Sequence, residues 1–286
     1  MPDALRISVI TPCFNAAATI RETIESVLEQ KHPQVEHIAV DGGSTDGTVD
    51  ILKSYSHLLW TSGKDAGLYD AMNKGIARAT GDLIVILNAD DCLRPGAFQN
   101  VETAFATRPD WGAAFGDVVY VDGEGREIYR REEALYDYDV LRYWNDYICH
   151  QTLFVRKAVY ERIGGYNDRE FKLCCDYEFI VRLGREGVTV GHVPALLVNF
   201  RFHRGGISSN LRVEQTQKLE GVQIREKYGC PAGLPGRVLS LLYRAKRQYQ
   251  KLRYRGKCDL VSGRKLLRQH MREKTTFSSN TGLDRL

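Results

Sequence analysis

Residues 81–91 read GDLIVILNADD: five consecutive apolar side chains followed by an asparagine, an alanine and two aspartates. An apolar run of that length, bounded by Gly81 and by polar residues, predicts a strand buried on both faces, as strands of parallel sheets are. Working outward, ISVIT (7–11) is a second such run, rich in β-branched residues. EHIAV (36–40) is a third, ending at Asp41 and a Gly-Gly turn. Helical patterns lie between and after them. Ile20, Ile24, Val27 and Leu28 make one stripe behind Thr19 and Glu22, whose spacing predicts a capping box. Val49, Leu52 and Tyr55 predict a second helix; Leu68, Met72, Ile76 and Ala79 predict a third, which Gly81 stops. Strand–helix–strand alternation predicts an α/β fold with a mostly parallel sheet and right-handed crossovers. Ligands of such sheets bind beyond the carboxyl ends of the strands. The polar clusters from Thr11 to Asn15, Asp41 to Asp46 and Asn88 to Asp91 all fall there.

The character changes after about Ala113. AFGDVVYVDGEGREIY (114–129) predicts a hairpin closed around Asp122-Gly123. A strand TLFV (152–155), a helix ending at Gly164-Gly165 and a helix starting near Asp176 follow. The organisation expected is a domain over 1–210, with a nucleotide-binding half (1–112) and an acceptor-binding half (113–210). A helical basic extension (211–274) and a disordered tail (275–286) would complete it. In the extension, Val238, Leu242, Ala245, Tyr249 and Leu252 are spaced by three or four, with Arg244, Arg247, Lys251 and Arg255 around them. A basic amphipathic helix of this kind lies on an anionic membrane surface, or packs its stripe on the domain with its charges in water.

Composition sets outer bounds. The 286 residues are 43% hydrophobic and 27% charged, ordinary for a globular protein. A net charge of +4 is too mild to argue for nucleic acid. No apolar run approaches the roughly 20 residues of a membrane span. MPDALRISVI lacks the charged leader and cleavage site of a signal peptide. Seven cysteines form neither a CxxC pair nor a zinc spacing, which suits reduced thiols in a cytosol. The expected location is cytoplasmic, with the basic helix as the means of peripheral contact at the inner face of the cell membrane.

Four motifs occur in order: VITPCFNAAATIRETIESVLEQ (9–30), VDGGSTDGT (40–48), LNADD (87–91) and GGYNDREFKLCCDYEFIVRL (164–183). Together, over about residues 7–205, they resemble glycosyltransferase family 2, inverting transferases of the GT-A fold that use nucleotide-diphospho-sugars. The resemblance implies a nucleotide-sugar donor, UDP-linked by preference, and a divalent metal, Mn²⁺ or Mg²⁺. The acceptor would be a saccharide or lipid-linked saccharide of surface-polysaccharide or glycolipid assembly. Physical chemistry supports the metal independently, because adjacent carboxylates at a sheet mouth repel unless a cation lies between them. Asp90 and Asp91 are the expected metal ligands, and His203 is expected at the metal as a third or at the diphosphate. Asn88 stands where the family carries an aspartate; it still accepts a ribose hydroxyl but removes one charge. Asn88, Ala89 and Asp90 are expected against the ribose and diphosphate. A helix-capping role for one of the two aspartates is the competing reading.

By the same resemblance Thr11, Pro12 and Asn15 flank the nucleotide, and Asp41 accepts the ring N–H of uracil or thymine. A turn-forming Asp-Gly role competes for Asp41, while Asp46 is expected to cap the following helix. In KDAGLYDAMNKG (64–75), Lys64 is expected near phosphate and Asp65 near sugar or base, with Asp70 and Asn73 open between capping and function. His150 and Gln151 resemble a donor- or acceptor-contacting pair, and Arg201 suits the diphosphate. Asp176 is the expected general base, taking the acceptor hydroxyl's proton opposite the leaving diphosphate. Relatives carry Glu-Asp there, whereas this chain carries Cys175-Asp176. Helix capping competes again, and Glu178 is expected at the surface or behind the base.

Other classes fit less well. No G-x-G-x-x-G follows the first strand, as a dinucleotide-binding fold requires. TPCFNAAAT lacks the Gly-rich basic loop of a sugar-phosphate nucleotidyltransferase. A nucleotide-sugar-binding protein without turnover would dispense with the base, and Asp176 is present.

Overall fold

The computed structural model describes residues 5–203, 211–256 and 267. Its first half is the expected alternation. Strands β1 (Ile7–Cys13), β2 (Val35–Asp41), β3 (Leu59–Ser62) and β4 (Leu83–Ile86) are separated by helices α1 (Ile20–Leu28), α2 (Thr48–Lys53) and α3 (Leu68–Arg78). They lie parallel in the order β3-β2-β1-β4. β1 and β4 are buried along their whole length because they are apolar on both faces. Side chains alternate across the pleat. Ile10, Ile84 and Ile86 meet Met72 of α3 on one face, and Ile7, Val9, Leu83 and Val85 enter a second core on the other.

The sheet continues through β5 (Cys92–Leu93), α4 (Ala97–Thr107), β6 (Ala113–Val121), β7 (Glu127–Arg131) and α5 (Tyr138–Tyr143). A 3₁₀ turn (His150–Thr152), β8 (Leu153–Arg156), α6 (Lys157–Ile163), α7 (Cys175–Arg185) and β9 (Val190–Arg201) follow. The nine strands form one sheet, ordered β3-β2-β1-β4-β8-β6-β9-β5, with β7 paired to β6. Pairing directions make β8, β5 and β7 run against the other six. This is the mixed, mostly parallel sheet flanked by helices of the GT-A class. The β6–β7 hairpin turns at Asp122 as expected, its carboxylate accepting the N–H groups of Glu124 and Arg126. The twelve-residue β9 carries Pro194, which has no N–H to donate. The β6 register skips there, from Gly116 opposite Val193 to Asp117 opposite Leu196.

The capping box does not form. The Thr19 hydroxyl donates to the Ala89 carbonyl at 2.7 Å, and Glu22 pairs with Arg201. Both side chains leave the helix end for the rim of the sheet, fastening α1 to the turn that carries Asp90. Two helices, α8 (Leu211–Lys227) and α9 (Gly233–Arg255), follow the sheet. α9 does not pack its apolar stripe on the domain: Arg247, Gln250 and Lys251 are buried, while Val238, Leu242, Tyr249 and Leu252 are exposed. Among the described residues no helix is long and apolar enough to cross a membrane. The six described cysteines carry free thiols. Cys258, most of the extension beyond Gly256, and the tail 275–286 lie outside the described residues.

Candidate active site

β4 ends at the carboxyl edge of the sheet, and the chain turns there, the Asp91 N–H reaching the Asn88 carbonyl at 3.1 Å. Asp90 keeps its side chain 31% exposed at this edge, and its Oδ2 lies 3.0 Å from His203 Nε2. Asp91 turns inward and is buried. Its Oδ1 accepts the Arg201 N–H at 2.8 Å and its Oδ2 accepts the Gln151 side-chain amide at 2.8 Å. Burial, and then the charge of Asp90, push its pKa well above the ordinary carboxylate range. The end of β9 lies across this turn. The Arg201 guanidinium donates to the carbonyls of Asp90 (3.1 Å) and Gly123 (2.6 Å) and pairs with Glu22. Arg201 is therefore committed to holding the turn rather than free to meet a diphosphate.

Among the described residues no three His, Cys, Asp or Glu side chains converge as a metal cage. Asp90 and His203 offer two adjacent ligands at the cleft, and Asp91 is engaged behind them. This fits a Mg²⁺- or Mn²⁺-type ion that takes its remaining oxygens from water and substrate phosphates. The Asn88 side-chain oxygen is buried and has no partner among the described residues, an acceptor left over at the same mouth.

A second group of side chains surrounds Asp176, in the first turn of α7. Its Oδ1 accepts the Tyr69 hydroxyl and the Tyr177 N–H, both at 2.9 Å, and its Oδ2 lies 3.1 Å from His150 Nδ1. Burial alone would raise its pKa; the hydrogen bond and charge of His150, with the Tyr69 hydroxyl, outweigh it and hold the pKa below the usual value. Burial and the nearby Asp176 charge push Asp146 the other way, up to about 7. Two carboxylates with opposed shifts divide ionised from protonated roles. Asp176 does not cap α7. The N–H groups of Lys172, Leu173 and Cys174 before the helix go to the Glu220 carboxylate of α8, each at 2.9 Å. Glu178 is not at the surface: it is buried, bonded to Arg182 and to the Tyr228 hydroxyl (2.6 Å).

His150 and Gln151 connect the two groups. One residue reaches Asp176 and the next reaches Asp91, so a single 3₁₀ turn ties the sheet-mouth carboxylates to the carboxylate across from them. The His150 Nε2 is buried without a partner among the described residues.

The remaining expected residues form a rim at the other end. Thr11 is fully buried in β1, its hydroxyl 2.9 Å from His37 Nε2, and Pro12 is buried beside it. Asn15 adopts a left-handed backbone (φ 49°) and accepts the Thr45 N–H at 2.9 Å, locking the first loop to the second. Asp41 is 1% exposed. It accepts the Ser62 hydroxyl (2.6 Å), the N–H groups of Gly43 and Ser44 (3.1 Å each) and the Ser44 hydroxyl. Those four donors match the lone-pair sites of a carboxylate, so the geometry favours the turn role over a base contact. Burial would raise its pKa, and these bonds lower it instead. Asp46 accepts the Thr48 N–H at the start of α2, as expected. Asp65 lies directly over Gly42, where an added Cβ would meet its Oδ2 at 2.6 Å, and Lys64 is exposed beside it. Ala89 is buried, contributing only its carbonyl, to Thr19. Asp70 accepts the Ala66 N–H and pairs with Lys74, a capping role, whereas Asn73 brackets the backbone of Tyr166 from both sides.

Tyr69, Asp146 and Glu220 escaped the sequence reading. Tyr69 adjoins the Leu68–Met72 stripe and passes for core. Asp146 and Glu220 carry no local signal, since their partners are distant in the chain.

Known proteins resemble this chain in sequence and in fold. A PGL/p-HBAD biosynthesis glycosyltransferase of Mycobacterium bovis is 32% identical over 209 residues, covering 71% of this chain and 79% of that one. The fold matches S. aureus TarS 1-349, solved with UDP-GlcNAc (TM-score 0.63, 18% identity, 87% of this chain and 73% of that one). It also matches the mannosyltransferase PcManGT of Pyrobaculum calidifontis, solved with GDP-Man and Mn²⁺ (TM-score 0.61, 19% identity, 87% and 72%). The sequence profile of Glycosyl transferase family 2 covers residues 8–164, and the chain belongs to that family of glycosyltransferases.

Proposed function

We propose that this chain transfers a sugar, with inversion, from a nucleotide diphosphate (UDP in the first instance) to an acceptor hydroxyl. Asp176 serves as general base, and Asp90 with His203 hold a divalent metal. The observation that supports this reading is the His150–Gln151 pair, in which one residue bonds Asp176 and the next bonds Asp91. A metal ion bound at Asp90 supplies charge neutralisation of the departing diphosphate. Asp91, kept buried by Gln151 and the Arg201 amide, orients the turn that presents Asp90. The orphan oxygen of Asn88 is suited to a ribose hydroxyl, and the Asp65–Gly42 contact closes the base end of the pocket.

Across the cleft the acceptor's O–H proton passes to the Asp176 carboxylate as its oxygen attacks the anomeric carbon and the bond to the diphosphate breaks. The lowered pKa keeps that carboxylate ionised and ready. His150 and Tyr69 fix its orientation. The acceptor is read as a saccharide or lipid-linked saccharide of surface-polysaccharide or glycolipid assembly.

The test is turnover of a UDP-, GDP- and dTDP-sugar panel with and without chelator. Metal-dependent transfer or donor hydrolysis is expected. Asp176→Asn should lower it by about 10²–10⁴-fold, the usual worth of a general base, and Asp90→Ala should abolish the metal response. Undiminished turnover in chelator, or in Asp176→Asn, would refute the proposal.

A further inference from the structure

α9 is packed inside out. Its 23 residues contain no acidic side chain. Arg247, almost wholly buried, pairs with Glu133, donates to the Leu135 carbonyl at 3.1 Å and covers the Tyr147 ring at 3.9 Å. Arg255 pairs with Asp117, and Lys246 with Asp137 at 2.7 Å. The acidic side chains of the domain thus take up the polar side of the helix. Facing away are Leu234 (73% exposed), Val238 (47%), Leu241 (65%), Leu242 (60%), Tyr249 (61%) and Leu252 (51%). Spacings of three, four and seven residues, with Leu241 and Leu242 side by side, place them on one stripe. A helix of a soluble domain turns such a stripe inward. Here it points out, and the exposed Arg237, Arg244 and Arg253 border it with no partner among the described residues.

We propose that this face of α9 seats the protein on an anionic phospholipid surface. The leucines and Tyr249 would enter the boundary between headgroups and acyl chains, with Arg237, Arg244 and Arg253 on the phosphates. Charge decides between occupants. A second copy packed by two-fold symmetry would set this acid-free, arginine-bordered helix against itself, like charge facing like. An anionic bilayer offers apolar depth under the stripe and negative charge on both sides of it. The proposal does not depend on which sugar or acceptor the cleft takes.

Co-sedimentation of the full chain with vesicles tests it, comparing phosphatidylcholine alone with mixtures containing phosphatidylglycerol. Binding is expected to the anionic vesicles only and to weaken as salt screens the headgroups. Replacing Arg237, Arg244 and Arg253 together by Gln should reduce partitioning by about a hundredfold, at roughly fivefold per arginine. Leu241→Ser with Leu242→Ser should reduce it at least about tenfold. Both variants alter exposed side chains and should keep wild-type melting temperatures and donor hydrolysis. Equal binding to both vesicle types, or unchanged binding of either variant, would overturn the proposal. So would a dimer in solution that the leucine variant dissociates while no vesicle is bound.

Discussion

Replacing Glu220 by alanine probes how the helices after the sheet reach Asp176, the proposed base. Its side chain is buried, with Oε1 accepting the Lys172 N–H and Oε2 the N–H groups of Leu173 and Cys174, all at 2.9 Å. Those amides lead into α7, where an N-cap side chain would ordinarily be needed. Hydrogen bonds to a charged group contribute about 1.5–3 kcal/mol each. Three that share one carboxylate, with water entering afterwards, sum to less than three independent ones, and about 3 kcal/mol is the expected loss. For a chain of this size that lowers the melting temperature by roughly 6–12 °C.

The effect should extend to turnover. The Tyr69 hydroxyl contacts both the Leu173 carbonyl (3.2 Å) and Asp176 (2.9 Å), so a shift of the 172–174 segment moves the proposed base. Misplacement by about 1 Å costs up to about a hundredfold, so kcat should fall about 10–100-fold with donor KM little changed. Glu220→Gln, which retains one acceptor oxygen, should fall between. Thermal unfolding and initial rates, normalised to folded protein, provide the assay. A melting temperature that drops while kcat per folded molecule holds would refute the coupling, and no change in either would refute the whole argument.

Asp146→Asn should flatten the pH dependence of stability. The native carboxyl titrates at about 7 against an ordinary 3.8, so the folded state holds a proton that the unfolded chain has released across that interval. Wild-type stability is then lost as pH rises through the window; parallel melting curves for wild type and variant would contradict this. Gln151→Leu removes the donor to buried Asp91 and should cost about 1–3 kcal/mol, read from the urea midpoint, together with a loss of metal-stimulated turnover. Gly165→Ala drives a Cβ into the Asn73 side-chain oxygen and should destabilise by about 1–3 kcal/mol. Because Asn73 also brackets Tyr166 at 2.8 and 2.9 Å, Gly165→Ala with Asn73→Ala should cost less than the sum of the two alone, as a double-mutant cycle would show.

What the sequence displayed was whatever has a local period. β1, β4 and α3 are legible because their apolar spacing matches the pleat or the helical turn along their whole length. The site motifs are legible because the ends of such strands are where polar residues can collect. β3, with exposed ends, shows no contrast between faces, and Pro194 interrupts the pattern of β9. Partnership was harder to see. Thr19 and Glu22 have capping-box spacing, yet Ala89 and Arg201 offer better partners from 70 and 179 residues away. Arg201 looks like a phosphate ligand until its donors are found on Gly123, Asp90 and Glu22. His150 and Gln151 stood out as a pair, but that they join Asp176 to Asp91 depends on separations no window spans.

The sharpest instance is α9, because amphipathicity is symmetric information. A stripe of leucines opposite a stripe of arginines states that a helix has two faces and says nothing about which one turns inward. The deciding residues lie elsewhere, in the buried carboxylates of Asp117 and Glu133 and the largely covered one of Asp137. Without the cations of α9, buried Glu133 would keep only Arg131, at 3.9 Å, and an interior carboxylate so poorly paired costs several kcal/mol. Arg247 answers it directly, and Lys251 approaches to 3.9 Å. The apolar stripe is worth less to the domain than that, since its burial can come from a bilayer while neutralisation of an interior carboxylate cannot. The acids on β6 and in the loop before α5 therefore select the basic face of the helix, and the outward leucines follow from that choice.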